Sequence, residues 1–315
     1  MCYGFDGDRS LTDSLAARGL GRRTLLRGAA LGAIGAGAAF AAAPAALAAQ
    51  PQGGGGHGHS LVPRNKISVQ LYTLRSDLGG AAGYDATLRS LARIGYRKVE
   101  QAGYYGRTAT ELRRFHDSLG IRTTSSHEGI SADDAALRTK LRNALILGQK
   151  YVNVPYLNSA NAEDWYAWAE RMNVEARAAR RLGLRYGYHN HAHEFTTDLG
   201  RGRTPWDILT RELDPRYVHL EIDLYWTVRA AVELGERDPE RFSLDVIRRA
   251  PQRVIQFHVK DRSAADGDMA DLGTGVIDFP RIFRAHKVDE YIVENDTPDV
   301  TPLQSAEVGY DYLGS

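Results

Sequence analysis

From residue 66 onward, short apolar runs alternate with longer stretches whose apolar positions recur at helical spacing. The runs predict strands over 67–71, 98–101, 121–126, 151–154, 184–190, 217–222, 254–259 and 291–294. Helical spacing predicts helices near 84–94, 108–119, 131–147, 161–182, 204–213, 227–249, 278–287 and 301–312. Four helix ends share one punctuation: Leu91-Ala92-Arg93-Ile94-Gly95, Ser118-Leu119-Gly120, Ile146-Leu147-Gly148 and Arg181-Leu182-Gly183. Each puts glycine where a helix C-terminus calls for positive φ, and an apolar run follows. These glycines stand 25, 28 and 35 residues apart, the length of one strand–helix unit. Helix starts carry capping residues, with Ser131 placed before Asp133-Asp134 and Thr204 before Pro205. Eight strands alternating with eight helices predict an α/β fold, a single-domain (β/α)8 TIM barrel over 66–315. A doubly wound open sheet is the alternative, but the first strand–helix turn lacks its Gly-x-Gly-x-x-Gly.

The first 65 residues follow another pattern. Gly21-Arg22-Arg23-Thr24-Leu25-Leu26-Arg27 precedes an Ala/Gly-rich apolar run that ends in Ala46-Leu47-Ala48. A twin arginine, a weakly apolar run and small residues at a cut site have the layout of a twin-arginine export signal over 1–49. A retained membrane span is the alternative. Residues 50–65, with four consecutive glycines, His57 and His59, read as a flexible Gly/His-rich linker. The single cysteine, Cys2, lies upstream of the cut, so Cys nucleophiles, Cys zinc sites and disulfides are excluded from the exported chain. A net charge of +1 with acids and bases interspersed excludes a nucleic-acid stripe. Contact with membrane is expected only during export, and a homo-oligomer is compatible with the composition.

In a barrel of this kind chemistry sits at the C-terminal ends of the strands. Strand two ends on Glu100-Gln101, and strand three on Ser125-Ser126-His127-Glu128. Strand five ends in Tyr188-His189-Asn190-His191-Ala192-His193-Glu194, which holds three of the chain's ten histidines. Strands six, seven and eight give Glu221-Ile222-Asp223, His258-Val259-Lys260-Asp261 and Glu294-Asn295-Asp296. One carboxylate or imidazole after each of several apolar runs suggests a converging site for a divalent cation. Nitrogen and oxygen donors without sulfur suit Mn²⁺, Mg²⁺, Co²⁺ or Zn²⁺. Glu100, His127, His191, Trp226 and Asp261 are candidate substrate-binding groups. Lys260 is a candidate acid or oxyanion partner, and a surface pair with Asp261 is its plain alternative. Asp271-Leu272-Gly273-Thr274-Gly275 has the glycines of a flexible loop over the site, or of a phosphate cradle.

Tyr188-His189-Asn190-His191, then Glu221-Ile222-Asp223-x-Tyr225-Trp226, His258-Val259-Lys260-Asp261, Gly273-x-Gly275 and Ile292-Val293-Glu294 occur in one order across 66–315. In this the chain resembles the xylose isomerase-like sugar phosphate isomerase/epimerase superfamily. The resemblance implies a metal held by groups from strands five to eight. Asp223, His258 and Glu294 take the last three positions. His189, with Asn190 or His191 beside it, stands where many members have Glu. Trp226 stands where related ketose epimerases often have a substrate-binding His. The catalytic candidates are then Glu294 as base, Lys260 and His189. The resemblance implies an exported, metal-dependent isomerase or epimerase of a sugar, keto-sugar or polyol, acting through a metal-stabilised enediolate. A lyase or dehydratase on a keto-sugar or keto-glycoside would share the carbanion, while a sugar-binding barrel without turnover and a metal-dependent endonuclease complete the alternatives.

Overall fold

A computed structural model describes residues 60–315. The export stretch 1–49 and the linker up to residue 59 lie outside the described residues. By residue 61 the chain is anchored: the backbone N–H groups of Leu61 and Val62 donate to the carbonyls of Ser315 and Leu313.

Eight strands form one parallel sheet. They are β1 (Ile67–Gln70), β2 (Lys98–Gln101), β3 (Arg122–Ser126), β4 (Tyr151–Val154), β5 (Arg185–His189), β6 (Val218–Asp223), β7 (Arg253–Val259) and, after a hairpin, β10 (Glu290–Val293). The hairpin, β8 (Asp261–Arg262) and β9 (Met269–Ala270), pairs antiparallel directly after β7. In space the strands run β3-β2-β1-β10-β7-β6-β5-β4. The ring completes between β3 and β4 through the His127–Asn153 bridge, flanked by the N–H groups of Lys150 and Glu128, which donate to the carbonyls of Thr124 and Asn153. The result is a nearly closed TIM barrel.

Helices cover the outside: α1 (Gly80–Ile94), α2 (Ala109–Ser118), α3 (Asp134–Leu147), α4 (Ala162–Arg181), α5 (His193–Thr196), α6 (Pro205–Glu212), α7 (Leu224–Glu233), α8 (Pro239–Arg249), α9 (Phe279–Ala285) and α10 (Pro302–Gly314). The glycines at 95, 120, 148 and 183 all adopt positive φ, as the punctuation predicts. Thr204 caps α6 in a capping box with Asp207, and Pro205 fills the first turn. Two details differ from the sequence reading. Asp133, not Ser131, caps α3, while the Ser131 N–H donates to the buried Glu175 carboxylate. The single helix expected over 227–249 is two, because Gly235 turns at positive φ and Asp238-Pro239 starts a new helix.

Alternation along each strand sorts its side chains between two layers. On β6, Val218, Leu220 and Ile222 join the apolar layer beneath the helices. His219, Glu221 and Asp223 face the barrel interior, which in this protein is filled largely by polar groups. Gly187 on β5 leaves room for that packing: a Cβ there would overlap Asn153 Oδ1 and His219 Nε2.

Candidate metal centre and active site

The interior groups rise in register toward the strand C-termini. Two-residue spacing puts Glu221 and Asp223 of β6 on one side, and Gln256 and His258 of β7 beside them, with Lys260 directly after β7. His189 ends β5, and Glu294 and Asp296 follow β10. Glu100 comes from β2, His127 follows β3, Asn153 lies on β4 and Gln70 ends β1.

His258 is the hub. Its Nδ1 lies 2.7 Å from Glu294 Oε2, and its Nε2 lies 2.7 Å from Glu100 Oε1 and 3.2 Å from Glu221 Oε1. His189 Nδ1 is 3.3 Å from Glu221 Oε1, and its Nε2 is 3.8 Å from Asp223 Oδ2. His127 Nε2 sits between Glu221 and Glu100, at 2.8 and 3.0 Å. Lys260 Nζ reaches Glu294 at 2.6 Å, Asp223 at 3.0 Å and Asp296 at 3.5 Å. All these groups are buried.

Two sets of four ligand atoms each lie within 4.8 Å of one another: His189, Asp223, His258 and Glu294, and His127, His189, Glu221 and His258. Every donor is imidazole nitrogen or carboxylate oxygen. That chemistry fits a divalent cation, and five buried carboxylates around one lysine would be eased by one.

The charges shape one another. Burial alone would strip His258 of its proton, but Glu221, Glu294 and Glu100 outweigh it and hold its affinity for the proton well above the ordinary value. Burial is likewise outweighed at His127, where Glu100 and Glu221 raise the pKa to about 9. His189 moves the other way: burial, helped by the neighbouring histidines and Lys260, pushes it well down. Burial lifts Asp223 to about 6 against Lys260 and His258. Glu294 is held well below the carboxylate range, because Lys260 and His258 overcome its burial.

The other candidates fall on two sides. His191 packs its ring 5.1 Å from both Trp226 and Tyr156, and 5.2 Å from His189. Glu194 fixes that turn by accepting from the His191 N–H and the Tyr188 hydroxyl. Trp226 lies under Lys260, whose Nζ is 5.7 Å from the ring centroid, and the buried indole N–H has no partner. Lys260 is fully buried, so the surface pair is not what forms. Asp261 turns away from Lys260 into its own loop. Its carboxylate accepts from the N–H groups of Gly273, Gly275 and Ile277, at 3.0, 3.0 and 3.1 Å. The loop expected to be free, or to cradle phosphate, is therefore pinned, and the two glycine amides already hold an internal carboxylate.

The family described as Xylose isomerase-like TIM barrel matches residues 88–299. The chain belongs to this family. No curated protein matches it. Among solved structures, a sugar phosphate isomerase/epimerase from Parabacteroides distasonis ATCC 8503 is 22% identical, with a TM-score of 0.64 over 78% of this chain and 92% of that one. The probable 3-DHS dehydratase AsbF from Bacillus anthracis, involved in petrobactin synthesis, is 12% identical, with a TM-score of 0.57 over 79% and 99%. An AP endonuclease, family 2, from Brucella melitensis is 13% identical, with a TM-score of 0.56 over 76% and 96%. At such identities the likeness is one of fold.

In this xylose isomerase-like barrel, strand-end reading names Glu221 and Asp296 without a role and does not reach Asn153, Gln256 and Gln70. Asn153 Nδ2 donates to Glu221 Oε2 at 2.6 Å and to Gln256 Oε1 at 3.1 Å. Gln70 Nε2 donates to Glu100 Oε1 at 2.8 Å. Period two was the available signal: counting back two from Asp223 and from His258 gives Glu221 and Gln256. A separate cavity of about 800 Å³, bordered by Trp206, Phe242 and Arg241, lies outside the barrel and holds none of these groups.

Proposed function

We infer that this barrel is a divalent-metal-dependent enzyme that isomerises or epimerises a sugar, keto-sugar or polyol derivative through an enediolate. One observation carries the reading: His189, Asp223, His258 and Glu294 bring four ligand atoms within 4.8 Å, with a buried Lys260 against two of them. Those four would hold the ion, with Mn²⁺, Mg²⁺, Co²⁺ or Zn²⁺ suited to the donors. When bound, such an ion supplies Lewis-acid polarisation of a substrate carbonyl and stabilises the enediolate charge.

The chain's own groups do the rest. Glu294, kept ionised by Lys260 and His258, takes the proton from the carbon beside the carbonyl and delivers it to the former carbonyl carbon, which completes an isomerisation. Lys260 places a positive charge next to the developing oxyanion. His189, held neutral by burial, either ligates or relays a proton. Trp226 and His191 form a wall with an unpaired indole N–H for a substrate oxygen. Glu100 and His127 lie deeper and support His258. The amides of Gly273 and Gly275 are occupied by Asp261, which favours a substrate without phosphate over one that would dock there.

A second reading, elimination from a keto-sugar or keto-glycoside, gains weight from one feature. His189 stands where a second carboxylate would make the site symmetrical, so a single base, Glu294, serves one face. Incubation with a sugar panel in deuterated water and each metal separates the readings. Deuterium exchange beside the carbonyl with interconversion of isomers supports the first, and loss of water or aglycone supports the second. No exchange with any sugar or metal, alongside measurable sugar binding, would leave a binding barrel without turnover. The layout around Arg22-Arg23 further suggests that the enzyme works after export; recovery of the full chain in the cytoplasmic fraction alone would remove that part.

A further inference from the structure

Two four-residue seats share His189 and His258. A neutral imidazole has one lone pair, so each shared ring can serve only one seat at a time. The ring edges are already sorted. His258 Nδ1 and His189 Nε2 face Glu294 and Asp223, while His258 Nε2 and His189 Nδ1 face Glu100 and Glu221. Asp223 stands two residues beyond Glu221 on the same face of β6, one pleat nearer the mouth, where Lys260 and Trp226 lie.

The deeper carboxylates are crowded with donors. Glu221 Oε2 accepts from Asn153 Nδ2 at 2.6 Å, and Glu100 Oε1 accepts from Gln70 Nε2 at 2.8 Å. His127 Nε2 lies between the two. Gln70, His127 and Asn153 come from β1, the end of β3 and β4, so three barrel positions hold this pair of acids in place.

We propose that Glu100, 2.7 Å from His258 Nε2, and Glu221, which closes its 3.3 Å approach to His189 Nδ1 when metal binds, are positioning residues that take those two N–H groups, turning the opposite nitrogens toward a single cation at Asp223 and Glu294, and that the deeper seat binds no second metal. This rests on the reading of the upper seat as a metal site, and its test needs no turnover. Carboxylates that accept the outer N–H of metal-bound histidines commonly contribute about 10–100-fold to metal affinity.

The experiment measures Co²⁺ and Zn²⁺ binding to the full chain by calorimetry, with metal content per chain and the Co²⁺ visible spectrum. Wild type is expected to bind one ion. D223N should lose binding and change the Co²⁺ bands. E221Q should weaken affinity by about 10–100-fold and keep the bands, since the ligand set is unchanged. The melting temperature of each metal-free variant separates misfolding from weak binding, and if E221Q does not fold, E100Q is read in the same way through His258. Two ions per chain, a larger loss in E221Q than in D223N, or unchanged affinity in E221Q would each overturn the proposal. Metal binding with the wrong order of variants removes this inference and leaves the proposed function standing; correct metal behaviour with no sugar chemistry does the reverse.

Discussion

Glu294 meets two positive partners at 2.6 and 2.7 Å, Lys260 and His258, inside a buried site. A base so placed is ionised before substrate arrives, at the cost of reduced basicity. Replacing it by Gln keeps the shape and removes the base, so turnover or deuterium exchange should fall by about 10²–10⁴-fold. Exchange at the wild-type rate in E294Q would take the base role away from it. Gly187 gives a structural counterpart. A methyl group there meets Asn153 and His219, so G187A should cost about 1–3 kcal/mol by overpacking, measured as denaturant midpoint. The metal-ligand candidates Asp223, His258 and Glu294 stood out because each is the first charged or imidazole group after an apolar run. Glu221 did not, because it lies within the run, where a charge reads as an interruption. Asn153 and Gln256 carry no charge at all, and only strand alternation points them inward.

Among elements, the helix ends were readable because glycine at positive φ is a local requirement that no distant contact relaxes. The pinning of the loop after β7 was not, since it depends on Asp261 meeting amides 12 to 16 residues away. Removing that carboxylate leaves the three loop amides and that of Arg262 without their acceptor. D261A should therefore lower stability by roughly 2–4 kcal/mol and speed hydrogen exchange at 273–277, whereas unchanged exchange there would mean the loop is held by other contacts. At the opposite end of the barrel, Glu290 of β10 is buried and accepts from Thr124 Oγ1 at 2.6 Å. Burial raises its pKa to about 7 from 4.5, against the pull of Lys98. The folded state thus binds this proton more tightly than the unfolded chain. The stability it contributes is complete below about 4.5 and is lost as pH rises through about 7. E290Q should gain on wild type between pH 5 and pH 8, by on the order of 3 kcal/mol at most. A melting-temperature difference that stays constant with pH would show that Glu290 titrates normally.

For the whole molecule, the decisive fact is the order of strands around the ring. β10, β7, β6 and β5 are consecutive neighbours. Glu294, His258, Asp223 and His189 sit at the ends of those same four strands, so a bound cation would tie half the barrel together at one point. The remaining half closes at the seam between β3 and β4, where the His127–Asn153 bridge and the N–H groups of Lys150 and Glu128 join the two strands. Glu221 spans that seam from inside, because it meets His127 and Asn153 at once. Without a cation, Glu100, Glu221, Asp223, Glu294 and Asp296 press negative charge into one buried region, and Lys260 with two histidines must offset it. A ligand bound by the folded state alone stabilises by mass action, about 2.7 kcal/mol when free metal exceeds Kd by 100-fold. For a barrel of this size that corresponds to a rise in Tm of roughly 5–10 °C. Chelation should reverse the rise, and D223N should abolish it while melting as a folded protein. A Tm indifferent to Mn²⁺, Co²⁺, Mg²⁺ and Zn²⁺ would mean that the four strand ends meet for packing rather than for a metal.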